Sequence, residues 1–258
     1  MVANAIQRVK ELAAGKYTGI ATAIILLSWL GFAFLPQHAA SHTKAPATEH
    51  MHGMDHANMA PMDTPVVHQP VLWIAIFSWI VMTIAMMGPA TLPAVQYVEQ
   101  NTPRGRGRAL VLYAAVWLAL WTAVGLLITL ALPMAANVNR WWMFAGVLLL
   151  AATWQLTPWK CRALGECHQS IPLPSGGWPA AKGLIRFGAV SGWACIRSCW
   201  AMMLTMAVAP SAHLLWMVPL TVAVTWERFT RYPRRTARVL AVLFVVTAAA
   251  VGIFVTVP

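Results

Sequence analysis

Residues 185–209 read IRFGAVSGWACIRSCWAMMLTMAVA, and residues 212–227 read AHLLWMVPLTVAVTWE. How often this stretch crosses a membrane decides the fold. The first segment is long and apolar enough for one helical crossing, which takes about 20 residues. The second is shorter and contains Pro219. Cations flank the pair: Lys182 before it and Arg186 at its very start, and Arg228, Arg231, Arg234, Arg235 and Arg238 after it. Basic loops stay on the cytoplasmic side of a bacterial membrane. The chain between them must therefore cross an even number of times, which makes the short second segment a span.

Working outward, the same reading gives seven spans: 17–36, 71–95, 109–132, 141–157, 185–209, 212–227 and 238–257. A chain that is 59% hydrophobic and only 10% charged is excluded from the ordinary soluble domains. With a cytoplasmic N-terminus, Arg8, Lys10, Lys16, Arg104, Arg106, Arg108, Lys160 and Arg162 also fall inside. Only Lys44 and Arg140 fall outside, and Arg197 falls within a span. The excess of 18 Lys+Arg over 7 Asp+Glu is then a topology signal, and nucleic acid is not an expected partner. The expectation is an all-α integral membrane protein of the bacterial inner (cytoplasmic) membrane. It has seven transmembrane helices in the lipid bilayer, with the N-terminus cytoplasmic and the C-terminus periplasmic.

Three parts follow. Residues 1–36 are an interfacial helix and an N-terminal anchor span. The anchor reads as uncleaved, because Pro36, Gln37 and His38 offer no small-x-small cleavage site. Residues 37–70 are a periplasmic loop whose composition cannot build a core and predicts disorder. Residues 71–258 are a six-helix membrane domain.

Within the loop, residues 50–62 read HMHGMDHANMAPM. His50, His52 and His56 alternate with Met51, Met54, Met59 and Met62. Thioethers suit cuprous copper, while imidazole suits cupric copper, zinc and nickel. Thioethers also survive an oxidising compartment where thiols would be lost. The segment therefore reads as a metal-capturing loop, with cuprous copper favoured and zinc or nickel as other candidates.

Cys195 and Cys199 lie four residues apart, which places them on one helix face. Met202 and Met206 continue that stripe, and Met82 and Met86 repeat the spacing in the second span before Gly88-Pro89. Buried Cys also packs as a small hydrophobe and Met as apolar filler, so the stripe alone carries two readings. Cys161 and Cys167 sit in the inner loop PWKCRALGECH, with Glu166 and His168 as further ligand candidates. Cations at Lys160 and Arg162 are expected to lower these thiol pKa values. Arg197 points away from the Cys face and is expected to snorkel to the inner surface. Taken in order, soft ligands run from outside, through the membrane, to the inner loop.

Three blocks carry a resemblance: AMMGPATLP (85–93), PWKCRALGECHQSIPLP (158–174) and GWACIRSCWAMML (192–204), the last followed by WER at 226–228. They resemble a bacterial family of predicted metal-binding integral membrane proteins, a domain of unknown function, of which this chain is a divergent member. The family pattern places a Cys where Ala163 stands, a Gly where Arg197 stands and a Cys where Ser198 stands. The resemblance implies a metal-binding membrane protein.

No zincin His-Glu-x-x-His, Gly-x-Ser-x-Gly or nucleotide-binding motif is present, so an enzyme is not expected. The expected role is copper capture at the His/Met loop and transfer to the Cys/Met site. That transfer would serve transport or delivery, with a periplasmic copper chaperone or a copper-enzyme client as partner. The alternative is a non-catalytic membrane subunit or scaffold that binds a partner protein.

Overall fold

The computed structural model describes residues 15–34, 69–102, 105–135, 137–167, 169, 171–174, 177–210, 213–230 and 232–256. The segment 37–68, with His50, Met51, His52, Met54, His56, Met59 and Met62, lies outside the described residues, as do residues 1–14 and His168. The described residues are all-helical, with no strand. The helices are α1 (Lys16–Phe34), α2 (Gln69–Asn101), α3 (Arg106–Ala131), α4 (Arg140–Gln155), α5 (Pro158–Glu166), α6 (Gly177–Val208), α7 (His213–Phe229) and α8 (Pro233–Thr256). A 3-10 turn, Leu132–Ala135, follows α3.

The seven segments read as spans each coincide with a helix, with shifted ends. The segment 71–95 continues to Asn101 through Pro89 and Pro93, and 185–209 begins at Gly177. Among the described residues, three stretches are long and apolar enough to cross a membrane: Trp73–Asn101, Arg106–Ala131 and Pro233–Thr256. Lys16–Gly31 is a shorter apolar helix. The loop after α4 is partly helical. Thr157 caps α5 by accepting from Lys160 N at 3.4 Å, and Pro158 fills the first turn, where its missing N–H costs nothing.

Proline at 89 does not break α2. It leaves the carbonyl four residues back, at Ala85, without its helical donor. The Trp29 indole on α1 donates to that oxygen at 3.0 Å. Two more indoles reach backbone oxygens of neighbouring helices: Trp79 to Trp121 at 2.8 Å and Trp154 to Arg197 at 3.1 Å. Close approach of α2 and α3 depends on Gly125, where a Cβ would overlap the Trp79 indole. Glu99, near the end of α2, caps α1. Its carboxylate accepts from Tyr17 N (3.2 Å), Thr18 N (3.1 Å) and the Thr18 hydroxyl (2.8 Å). This supplies partners for N–H groups that the first turn of a helix leaves free.

Packing is pairwise. The helix pairs α4–α8, α1–α2 and α3–α6 pack most extensively, and α5 lies along α6. One core runs through α2, α3, α4, α6, α7 and α8. The outside of α8 presents Val242, Val246, Ile253 and Phe254, while its inside buries Ala237, Ala241, Phe244 and Ala248. Both faces are apolar, so its outward face is not that of an ordinary amphipathic surface helix.

Candidate metal site

α6 places Cys195 and Cys199 one turn apart on one face, both buried. Between them in sequence is Ser198. Its hydroxyl donates to the Cys195 carbonyl at 2.9 Å, the usual back-bond of a serine inside a helix. The same oxygen lies 3.3 Å from Cys199 Sγ and 3.9 Å from Cys167 Sγ. Cys167 closes the C-terminus of α5. The structure thus joins Cys167 to the α6 pair through one hydroxyl. It sits beside Ser198 rather than forming a separate station beyond the helix.

Arg228, on α7, is buried and places its charge near all three thiols. Burial pushes the Cys167 thiol up, and Arg228 only partly offsets this. That reverses the expectation of a lowered value. The expected cation, Lys160, is turned away into the core, where burial outweighs the charge that remains. Cys161 is half-buried, and among the described residues no hydrogen bond ties it to the α6 thiols.

Beyond the thiols, Met202 is buried one turn along α6, and its sulfur accepts from Gln155 Nε2 at 3.8 Å. Gln155 ends α4, and its Oε1 accepts from Lys160. Lys160 donates to both Glu227 oxygens, at 2.7 and 3.0 Å. The Lys160 and Glu227 side chains are 3% and 2% exposed. A chain of polar contacts therefore runs from Glu227 through Lys160 and Gln155 to the Met202 thioether. It occupies one sulfur lone pair and leaves the other free.

Met206, Met82 and Met86 are buried in the same core. Met82 and Met86 ride on α2, whose main neighbours are α1, α3 and α7 rather than α6. The structure therefore gathers Cys195, Cys199, Cys167 and Met202 closely, and gathers Met206, Met82 and Met86 more loosely. Among the described residues, no three His, Cys, Asp or Glu side chains form a ready-made metal cage. Two thiols with a third one hydroxyl away suit a soft monovalent ion of low coordination number better than a hard or tetrahedral one. Buried Arg228 would compensate the charge of a thiolate, whereas the charge of Lys160 is already matched by Glu227.

Arg197 does not snorkel free. It pairs with Glu166, and both are partly exposed. That uses Glu166 as a counter-ion rather than as a ligand.

Four features of this group were missed in sequence: Ser198 as the link, Gln155, the buried pairing of Lys160 with Glu227, and Arg228. A signal existed for two of them. Gln155 is a polar residue inside an apolar run, and Glu227 is an isolated acid at the end of one.

A family model, PpoB2, described as a copper chaperone, matches residues 76–251. The match spans most of α2, all of α3 to α7 and most of α8, so it contains every residue of this site. No curated protein and no solved structure matches the chain.

Proposed function

This chain belongs to the PpoB2 family of copper chaperones, and from that premise we propose a membrane-embedded copper handler. Its seven long helices cross the bacterial inner membrane, with the N-terminus cytoplasmic and the C-terminus periplasmic. Residues 1–36 anchor it, residues 37–70 extend into the periplasm, and residues 71–258 form the membrane domain. Copper is cargo. It is captured by His50, His52, His56, Met51, Met54, Met59 and Met62 and passed to the buried sulfur group for transport or for delivery to a copper enzyme. No catalytic step is part of this reading.

One observation carries it. Cys199 and Cys167 converge on Ser198, with Cys195 one turn before Cys199 and Met202 about one turn after it on α6, inside the segment that matches the copper-chaperone model. Transfer is by ligand exchange. Each incoming sulfur forms its bond to the cuprous ion before an outgoing one leaves, and each thiol loses its proton as it binds. Thioethers on Met202, Met206, Met82 and Met86 bind without proton loss. That makes them suitable for the intermediate positions and the thiols for the tighter one.

The test is copper stoichiometry on the detergent-purified full chain under reducing conditions, with zinc as competitor. Three proteins are compared: wild type, a deletion of residues 41–64, and Cys195→Ser/Cys199→Ser. The deletion should lose several weak sites and keep a tight one, and the double variant should lose the tight one. Equal binding by all three would refute the reading.

A further inference from the structure

A concavity lies between the end of α4, α5 and the middle of α6. Trp154, Trp159, Arg162, Glu166 and Arg197 line its volume of about 240 Å³. That is more than ten times the ~10–15 Å³ that one water needs. Two guanidinium groups and one carboxylate give its wall a net charge of +1 (two minus one). Glu166 neutralises Arg197. Arg162 is exposed and makes no ion pair among the described residues.

Arg197 carries the second observation. Its Nε is buried and has no hydrogen-bond partner. A buried donor left unpaired costs about 1–3 kcal/mol, and this one belongs to a residue of the cavity wall. The wall is also fixed. The Trp154 indole donates to the Arg197 carbonyl at 3.1 Å and stands edge-on to Trp200 at 5.2 Å. Trp159, 69% exposed, stands at the rim, as indoles do at the edge of a bilayer. What such a site lacks is an anion with several acceptor oxygens. Guanidinium groups bind phosphate oxygens through paired N–H donors, and basic pockets between membrane helices take anionic headgroups.

We propose that the cavity between Trp154, Trp159, Arg162, Glu166 and Arg197 is a phosphate-oxyanion site, filled by the headgroup of an anionic phospholipid. The lipid source rests on the membrane reading above, whereas the oxyanion chemistry does not. A bound lipid there would brace α5 against α6, and α5 carries Cys167 and Lys160 to the metal site.

Native mass spectrometry of the detergent-purified full chain tests this. The probes are dioctanoyl phosphatidylglycerol, dioctanoylglycerol (the same chains without phosphate) and inorganic phosphate. The variants are Arg162→Gln and the charge-neutral pair Glu166→Gln/Arg197→Gln. Circular dichroism and copper stoichiometry of the same samples report on folding and, separately, on the copper reading. Wild type should retain one phosphatidylglycerol and not dioctanoylglycerol, and each variant should weaken that binding about tenfold, one lost charge-assisted contact. If phosphate alone binds and displaces the lipid with the same dependence on the variants, the oxyanion site stands and free phosphate is its occupant. If folded variants bind as wild type does, or dioctanoylglycerol binds as well as phosphatidylglycerol, the proposal is overturned.

Discussion

Consider replacing Lys160 by Met. The side chains are of similar length, so the shape of the core is preserved and only the charge is lost. Glu227, 2% exposed, would be left buried without its cation. Removing one member of a buried ion pair typically costs about 3–5 kcal/mol, because an uncompensated charge is left behind. The Lys160–Glu227 pair has good geometry, with two contacts at 2.7 and 3.0 Å and almost no water access, so the expected loss lies in that range. For a domain of this size, about 2–4 °C of melting temperature corresponds to each kcal/mol, giving a drop of roughly 6–20 °C. The double variant Lys160→Met/Glu227→Gln removes both charges and should recover at least half of the loss. Thermal unfolding of the four proteins in one detergent closes the cycle, and the coupling should exceed about 2 kcal/mol. A drop below about 2 °C in Lys160→Met, or no recovery in the double variant, would refute the view that this pair is buried and mutually dependent. The same cycle has a second readout. Gln155 holds the Met202 sulfur only while Lys160 holds Gln155, so copper affinity should fall in Lys160→Met even at temperatures where the protein is folded.

Further outcomes follow from other contacts. Cys167→Ser should weaken the tight copper site by about tenfold, while Cys161→Ser should leave it unchanged; competition with a cuprous chelator measures both. Because burial raises the Cys167 pKa, its thiol is protonated at neutral pH and must release a proton to bind metal. Copper affinity should therefore rise with pH up to that raised value and flatten above it, and Cys167→Ser should lower the slope of log affinity against pH by up to about one proton. Trp29→Phe strands the Ala85 carbonyl and should cost about 1–3 kcal/mol in a denaturant titration; no measurable change would mean that the orphan is satisfied otherwise. Gly125→Val drives two methyl groups into the Trp79 indole and should cost about 1–3 kcal/mol, or shift the Trp79 contribution to fluorescence.

Much of the helix order was legible because apolar run length follows from local chemistry. The ends were not, since a helix can continue through a proline when another helix supplies the missing donor, as Trp29 does for Ala85. The i,i+4 spacing made Cys195, Cys199, Met202 and Met206 a visible stripe. Cys167 was visible as a residue but not as their neighbour, because nothing local says that α5 folds back along α6 to the level of Ser198. Lys160 misled most. Position along the chain makes it a loop cation beside Cys161, whereas tertiary packing turns it inward to Glu227. Arg197 was visible as an intramembrane cation, yet its partner Glu166 is 31 residues away in the chain, beyond any periodicity.

The three indole-to-carbonyl bonds, from Trp29, Trp79 and Trp154, act as axial pins. Each joins a rigid side chain on one helix to a single backbone oxygen on the next. A helix sliding by one turn would travel 5.4 Å and leave every such oxygen behind. Rotation or tilt about a pin keeps the bond. The bundle is therefore geared like a set of hinges rather than pistons. A movement that opens the sulfur group must swing α4 or α6 about the Trp154–Arg197 contact, and that contact lies within one turn of both Cys199 and Gln155.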